Sequence, residues 1–129
     1  MTDITKILLV EDQEQLREMF SSILKDEGFY LDEAEDGIEA LELLNNNNYS
    51  LLVTDIFMPN LNGFELALKC QKNFPSTKII MLSGGGEKLE AQHKDSIVIY
   101  KNKKIEVDLF LRKPCSLVEL LSSVEGMLS

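Results

Sequence analysis

The chain has 129 residues, and 22 Asp and Glu outweigh 13 Lys and Arg to give a formal net charge of −9. This length suits one domain that buries roughly two-thirds of the surface exposed by its unfolded chain. A hydrophobic content of 44% excludes a disordered chain. Because nucleic acids and anionic membranes are bound through clustered Lys and Arg, the acidic balance makes both poor candidates for direct partners.

The cysteine usage and the first residues indicate a cellular compartment. Cys70 and Cys115 lie far apart and form no close-spaced metal motif, so we expect reduced thiols. The first residues lack the pattern of a secretory signal, and no apolar run approaches the length that spans a membrane. We therefore expect a soluble, cytoplasmic protein with a single domain over residues 1–129 and a core from about residue 6 to residue 128.

Short apolar runs alternate with helical patterns along the chain. Strands are predicted at residues 6–10, 29–33, 49–54, 78–82 and 108–112. Helices are predicted at residues 14–27, 37–44 and 64–74, and a last helix follows the capping-box pair Ser116 and Glu119. This alternation predicts an α/β fold, in which parallel strands are joined by right-handed crossovers and helices cover both faces of the sheet.

The stretch from residue 87 to residue 106 is the least regular part of the sequence. Residues 96–100 are typical of a strand rather than a helix, and residues 101–104 form a small basic patch. Short charge runs are usually exposed loops, so a solvated loop is favoured over a binding patch for these lysines.

Polar residues follow the predicted strands where each of them ends. Glu11 and Asp12 come after the first strand, Asp55 after the third, Ser83 after the fourth and Lys113 after the fifth. Each alone has an ordinary structural explanation as a helix cap, a turn residue or a surface charge. Because the carboxyl ends of parallel strands meet at one edge of a sheet, their shared position instead indicates a site.

The chemistry of this set points to a metal and a phosphoryl group. Three carboxylates placed together repel one another unless a cation neutralises them, and oxygen ligands suit Mg²⁺. An ionised aspartate can act as a nucleophile towards phosphorus, while a lysine and a hydroxyl hold the phosphoryl oxygens. The set therefore predicts Mg²⁺-dependent phosphoryl transfer to a carboxylate.

Four motifs in order resemble the response-regulator receiver domain of two-component signalling. They are Leu8-Leu9-Val10-Glu11-Asp12, Val53-Thr54-Asp55-Ile56-Phe57-Met58-Pro59 with Asn62-Gly63, Met81-Leu82-Ser83-Gly84, and Phe110-Leu111-Arg112-Lys113-Pro114. The resemblance runs from about residue 6 to residue 128. It implies a flavodoxin-like, doubly wound (βα)5 sandwich with a five-stranded parallel sheet of order 2-1-3-4-5.

The resemblance also implies the metal ligands and the acceptor. By it Asp55 is the phosphoacceptor and, with Asp12 and the backbone carbonyl of Phe57, a ligand of Mg²⁺, for which Mn²⁺ would substitute. Glu11 acts through the water shell of the ion.

The same resemblance assigns the residues that hold the phosphoryl group and switch the domain. Ser83 and Lys113 hold the phosphoryl oxygens, and the bond between Lys113 and Pro114 is expected to be cis. Phe110 takes the position of the aromatic switch residue, where it packs by shape alone because it has no hydroxyl. An ordinary core phenylalanine is an equally good interpretation of Phe110.

The sequence departs from the family pattern between Ser83 and Lys113, which are 30 positions apart. The excess lies in residues 87–106, where the family has its fourth helix and part of its signalling face. Glycines at positions 84–86 predict a flexible loop after Ser83, and residues 104–108 replace the familiar Gly-Ala pattern. We expect an intact site and an atypical output surface.

The leading hypothesis is a stand-alone receiver of a phosphorelay, not a turnover enzyme. It would take a phosphoryl group from a sensor histidine kinase or a histidine phosphotransfer protein and would be a monomer or a weak dimer. It would then bind a downstream protein through the face formed by the fourth helix, the last strand and the last helix. The alternative is a pseudo-receiver that acts as a phosphorylation-independent interaction module. A phosphatase is disfavoured because Phe57 stands where such an enzyme needs a second aspartate.

Overall fold

The computed structural model describes residues 5–58, 60–83, 89–92 and 97–129, with residues 89–92 described by their backbone. The strands are β1 (Lys6–Val10), β2 (Tyr30–Ala34), β3 (Leu51–Asp55), β4 (Lys78–Ser83), β5 (Leu89–Gln92), β6 (Ile97–Tyr100), β7 (Lys103–Glu106) and β8 (Leu109–Arg112). The helices are α1 (Glu14–Asp26), α2 (Gly37–Asn46), α3 (Gly63–Asn73) and α4 (Leu117–Leu128).

Five parallel strands form the main sheet in the order β2-β1-β3-β4-β8. Their connections return the chain to the same edge of the sheet each time, so the carboxyl ends of all five strands lie together. The predicted α/β fold class and the sheet order are confirmed, with β8 as the fifth strand of the sheet.

The core is divided between the two faces of this sheet. Successive residues of a strand point to opposite faces, so Ile7 and Leu9 pack with α1 and α4, while Leu8 and Val10 pack with α2 and α3. All four side chains are fully buried. This explains why the central strands carry runs of consecutive apolar residues and not an alternation of apolar and polar ones.

The helices begin where the sequence provides capping side chains. The Asp36 carboxylate accepts a hydrogen bond from the Glu39 N–H at 2.8 Å, and Asn62 and Ser116 cap α3 and α4 in the same way. Each of these caps satisfies a backbone donor that has no partner within its own helix. The predicted Ser116 cap is therefore confirmed.

A second, antiparallel sheet of order β5-β6-β7 lies between β4 and β8 in the chain. Its inner face contributes Val98 and Ile105, which are buried in the same core cluster as Phe64 of α3. The strand-like character predicted for residues 96–100 is confirmed at residues 97–100. The described residues between β4 and β8 form strands and include no helix, so the fourth helix of the expected output face is not found among them, and the expected atypical region is confirmed.

The basic patch at residues 101–104 is a hairpin tip and the start of a strand. Lys101 and Asn102 form a two-residue turn with φ values of 50° and 63°, and Lys103 and Lys104 begin β7. Two consecutive left-handed residues match the twist of the flanking strands. All four residues are exposed as expected, but the prediction of a simple loop is wrong. The glycines at positions 84–86 lie outside the described residues.

No helix in the described part of the chain is both long enough and apolar enough to cross a membrane.

Candidate functional site

Three carboxylates converge at the carboxyl edge of the main sheet. Glu11 and Asp12 follow β1, Asp55 ends β3, and one oxygen from each lies within 4.8 Å of the others. Glu11 is fully buried and Asp55 is 8% exposed, whereas Asp12 is exposed to solvent. The structure therefore brings together the three acidic residues that the sequence predicted.

The ammonium of Lys113 lies between the two buried carboxylates. Its Nζ is 2.7 Å from Glu11 Oε1 and 3.1 Å from Asp55 Oδ2. The Lys113 N–H also donates to the backbone carbonyl oxygen of Ser83 at 2.7 Å, and the Lys113–Pro114 bond is cis, as expected. The lysine is thus held to β4 through its backbone and to the acids through its side chain.

Burial sets the protonation behaviour of the two inner acids. It raises the pKa of Glu11 above its usual value even though Lys113 and the Gln13 N–H donate hydrogen bonds to that carboxylate. It also raises the pKa of Asp55, against the lowering effect of the Lys113 charge. Burial lowers the pKa of Lys113, but the hydrogen bond to Glu11 and the charge of Asp55 outweigh it and leave that pKa raised.

Backbone contacts hold the loop after Asp55 in place. The Ile56 N–H donates to Asp55 Oδ1 at 3.0 Å, and the Gly63 N–H donates to the Ile56 carbonyl oxygen at 2.7 Å. A Cβ at Gly63 would overlap the backbone carbonyl of Asp55, so only glycine allows this close approach. The orientation of the Asp55 carboxylate therefore depends on the start of α3.

Arg17 of α1 holds the other acidic loop and was missed by the sequence reasoning. Its Nη1 donates to the backbone carbonyl oxygen of Glu11 at 2.8 Å, and its Nε is 3.6 Å from Glu33 Oε1. The Arg17 side chain is only 14% exposed. Arg17 lies in the first turns of the helix that follows Asp12, and this position indicates that it is near the acidic loop. The helical pattern alone, however, assigns Arg17 only to a polar face.

The remaining predicted residues lie around the acids in different ways. Ser83 ends β4, is fully buried, and pairs in the sheet with Arg112. Phe57 follows Asp55 by two residues, and its ring contacts the Tyr100 ring with centroids 5.7 Å apart. Phe110 is 2% exposed and lies in the core cluster, as the interpretation of it as a core residue expects.

The site suits a divalent cation with oxygen ligands. Three carboxylates against one ammonium leave two negative charges unbalanced in a largely buried cluster. A carboxylate pair that has lost much of its water is stabilised by a nearby cation, and Mg²⁺ prefers carboxylate and carbonyl oxygens together with water. The exposure of Asp12 leaves one side of the cluster open to solvent.

The chain thus combines a parallel α/β sheet with an acid and lysine cluster at the carboxyl edge of that sheet. Residues 7–125 match the family model described as the response regulator receiver domain. The chain therefore belongs to the response regulator receiver domain family of two-component signalling.

Two regulators of known sequence are similar to this chain. The transcriptional regulatory protein CpxR homolog of Haemophilus influenzae is 34% identical over 125 residues, which cover 97% of this chain and 51% of that protein. The transcriptional regulatory protein SrrA of Staphylococcus aureus is 37% identical over 82 residues, which cover 64% of this chain and 34% of that protein. The chain thus spans about half of the length of the first relative and a third of the second.

Solved receiver domains share the fold over nearly the whole chain. A CheY-like receiver domain protein from Methanospirillum hungatei has a TM-score of 0.80 and 26% identity, covering 98% of this chain and 94% of that one. The response regulator TrrA from Thermotoga maritima, solved in complex with Mg²⁺ and BeF, has a TM-score of 0.77 and 29% identity. That match covers 96% of this chain and 99% of TrrA.

Proposed function

We propose that this receiver domain accepts a phosphoryl group on Asp55 in a Mg²⁺-dependent phosphorelay. The observation that carries the proposal is the position of Lys113, whose ammonium lies 3.1 Å from Asp55 and 2.7 Å from Glu11. A structural ion pair needs only one acid. This lysine instead lies among three carboxylates, whose combined negative charge is larger than its single positive charge. Excess negative charge at a partly open edge is suited to holding a metal ion and a phosphoryl group.

Asp55 would act as the nucleophile. One of its carboxylate oxygens forms a bond to phosphorus while the bond from phosphorus to the donor histidine nitrogen breaks, and that electron pair stays on the imidazole. The Ile56 N–H bonded to Oδ1 and the Lys113 ammonium near Oδ2 orient the carboxylate for this attack. The ionised form of the Asp55 carboxylate is already a nucleophile, so no general base is required to remove a proton during the attack.

The neighbouring residues would stabilise the product. Glu11, Asp12, Asp55 and the backbone carbonyl of Phe57 would hold Mg²⁺, directly or through water, and the bound ion would offset the charge of the phosphoryl oxygens. Lys113 would transfer its hydrogen bonds from the carboxylates to a phosphoryl oxygen. Ser83, buried at the end of the neighbouring strand, would supply a hydroxyl to another one.

The donor would be a sensor histidine kinase or a histidine phosphotransfer protein, and the chain would assist its own modification without turning over a substrate. The family membership supports this assignment, and the receiver domain of the hybrid histidine kinase CckA is one of its structural neighbours, with a TM-score of 0.75. Such a relay would operate in the cytoplasm. A downstream protein would read the phosphorylated state, and the chain would be a monomer or a weak dimer.

Intact-mass measurement after incubation with acetyl phosphate tests this function. With Mg²⁺ present we expect one added phosphoryl group on the wild type and none on Asp55→Asn. Asp26→Asn, which changes an exposed aspartate of α1, serves as the matched control and should be modified like the wild type. No added mass on the folded wild type would refute the proposal and favour the pseudo-receiver.

A further inference from the structure

The tip of the β6–β7 hairpin concentrates positive charge on an acidic chain. We call the segment from Tyr100 to Lys104 the basic hairpin; it holds three of the 13 basic residues of a chain whose net charge is −9. Lys101, Lys103 and Lys104 are all exposed. Across the described ranges, no ion pair with an acidic residue involves any of these three lysines.

The turn geometry fixes where these charges point. Lys101 and Asn102 both have positive φ, which closes β6 and β7 with a tight two-residue turn. The Lys101 ammonium lies 5.2 Å from the centroid of the Tyr100 ring, an arrangement in which the aromatic face attracts the cation. The lysines are thus presented on and beside a tight two-residue turn.

A small cleft opens beside this hairpin, with a volume of about 110 Å³. It is lined by Phe64, Glu65, Tyr100, Lys101 and Lys103. The Tyr100 ring supplies most of its apolar surface, because the Phe64 ring packs against it with centroids 5.6 Å apart and Phe64 is only 1% exposed. Two lysines and one glutamate supply the polar lining, so the cleft suits one apolar side chain with negative charges next to it.

We propose that the basic hairpin is a docking site for an acidic segment of a partner protein, which places one apolar side chain against Tyr100 in the cleft beside the hairpin. Charge complementarity selects this occupant. The three lysines attract acidic residues, whereas the acidic excess of the rest of the chain disfavours binding of an acidic segment elsewhere. Three lysines on one hairpin are too few to hold a nucleic acid against that excess. The hairpin occupies the part of the chain in which the output face was expected.

The cleft is also connected to the phosphoacceptor loop. The Phe57 ring meets the Tyr100 ring at an interplanar angle of 68°, and Phe57 follows Asp55 by two residues. A change in the loop at Asp55 therefore reaches the wall of the cleft through one aromatic contact. This part of the inference rests on the proposed function, and it makes the affinity for the acidic segment depend on phosphorylation.

An NMR titration at low salt tests the docking site. The probe is an acetylated peptide with one leucine flanked by four glutamates, and the same peptide with glutamines in place of the glutamates is its control. We expect shift changes centred on residues 64, 65 and 100–104 and lost at high salt. No shift change at millimolar peptide, a shift pattern centred elsewhere, or tighter binding of a short DNA duplex would overturn the proposal.

Matched variants separate specific docking from general attraction. Replacing both Lys101 and Lys103 by Gln should weaken peptide binding about three- to tenfold, because each exposed ion pair contributes about 0.2–1 kcal/mol. Replacing both Lys25 of α1 and Lys72 of α3 by Gln removes the same charge at exposed positions that do not line the cleft and should leave binding unchanged. Equal weakening by the two pairs would overturn the proposal.

The phosphorylation arm uses the same peptide and a mass measurement of each sample. We expect the affinity of the wild type to change at least about twofold on phosphorylation and that of Phe57→Leu to change less. A wild type that binds the peptide but gains no phosphoryl group on Asp55 after treatment with acetyl phosphate and Mg²⁺ would refute the proposed function alone. A wild type that gains the phosphoryl group but binds the peptide neither before nor after phosphorylation would refute the docking site alone.

Discussion

The guanidinium of Arg17 donates a hydrogen bond to the backbone carbonyl oxygen of Glu11 across 2.8 Å. This contact ties α1 to the loop that carries the two acids after β1, and Glu33 of β2 lies 3.6 Å from the Nε of the same arginine. Among the described residues, Arg17 makes no hydrogen bond to the side chains of Glu11, Asp12 or Asp55. Its role is to position the backbone of the loop.

Replacement of Arg17 by Gln should therefore weaken Mg²⁺ binding by about threefold or more and lower the free energy of unfolding by about 1–2 kcal/mol, since a charged hydrogen bond to a carbonyl is lost. Lys25→Gln is the control, because Lys25 also pairs with Glu33, at 3.4 Å, but is largely exposed. That variant should change stability by less than about 0.5 kcal/mol. Calorimetric Mg²⁺ titrations of both variants check this, and equal effects would contradict the positioning role.

The buried charge of Asp55 should cost stability in the absence of metal. A raised pKa means that folding favours the protonated form, so the ionised carboxylate is destabilising above that pKa and the penalty fades as the pH falls. Asp55→Asn should raise the melting temperature at neutral pH by about 3–5 °C, which corresponds to about 1 kcal/mol. Thermal unfolding in EDTA measures this change, and the melting temperature of Asp26→Asn should be close to that of the wild type. An unchanged or lower melting temperature in Asp55→Asn would contradict the charge balance described for the site.

Removal of the Lys113 ammonium should make stability fall as the pH rises. In Lys113→Ala the folded-state pKa values of Glu11 and Asp55 rise further, so the variant is close to the wild type at pH 4 and less stable by about 3 kcal/mol at pH 8. Urea unfolding at several pH values measures this difference.

Mg²⁺ should still bind Lys113→Ala, because loss of a cation relieves repulsion of the ion, but phosphorylation should no longer switch the domain. Lys72→Ala, an exposed lysine of α3, is the control and should show no such pH dependence. A pH-independent loss of stability in Lys113→Ala, or loss of its metal affinity, would count against the assigned roles.

Glycine at position 63 should be required for the shape of the phosphoacceptor loop. Gly63→Ala places a methyl group against the Asp55 carbonyl, so we expect a loss of about 2–4 kcal/mol and slower phosphorylation by acetyl phosphate. Gly126→Ala meets nothing within 4 Å in α4 and should gain about 0.5–1 kcal/mol from helix propensity. Urea unfolding of both variants measures these changes. Similar stability of both variants would show that the close approach at Gly63 is relaxed in solution.

The sequence was sufficient to predict the main sheet and the convergence of the acids. Buried apolar runs mark the central strands, and parallel topology then places the residues after Val10 and Leu82, and the end of β3, at one edge. The position of each site residue then follows from the residue at which its strand ends.

The strand at residues 97–100 was predicted, but the turn of the β6–β7 hairpin and the contacts of Arg17 could not be predicted in the same way. The hairpin turn uses Lys101, a residue type that gives no signal for a left-handed conformation, and its strands are short. The hydrogen bond from Arg17 to Glu11 joins a helix to a loop carbonyl, and no periodicity records such a contact. Both features depend on tertiary packing and not on local sequence preference.

Chemical mapping of the modified residue tests the central claim most directly. After treatment with acetyl phosphate and Mg²⁺, borohydride reduction converts an aspartyl phosphate into homoserine, and peptide mass spectrometry then locates it. The account predicts homoserine at position 55, at a level that depends on Mg²⁺. Modification at Asp12 in the wild-type protein, or at Asp55 to the same extent without a divalent ion, would contradict it.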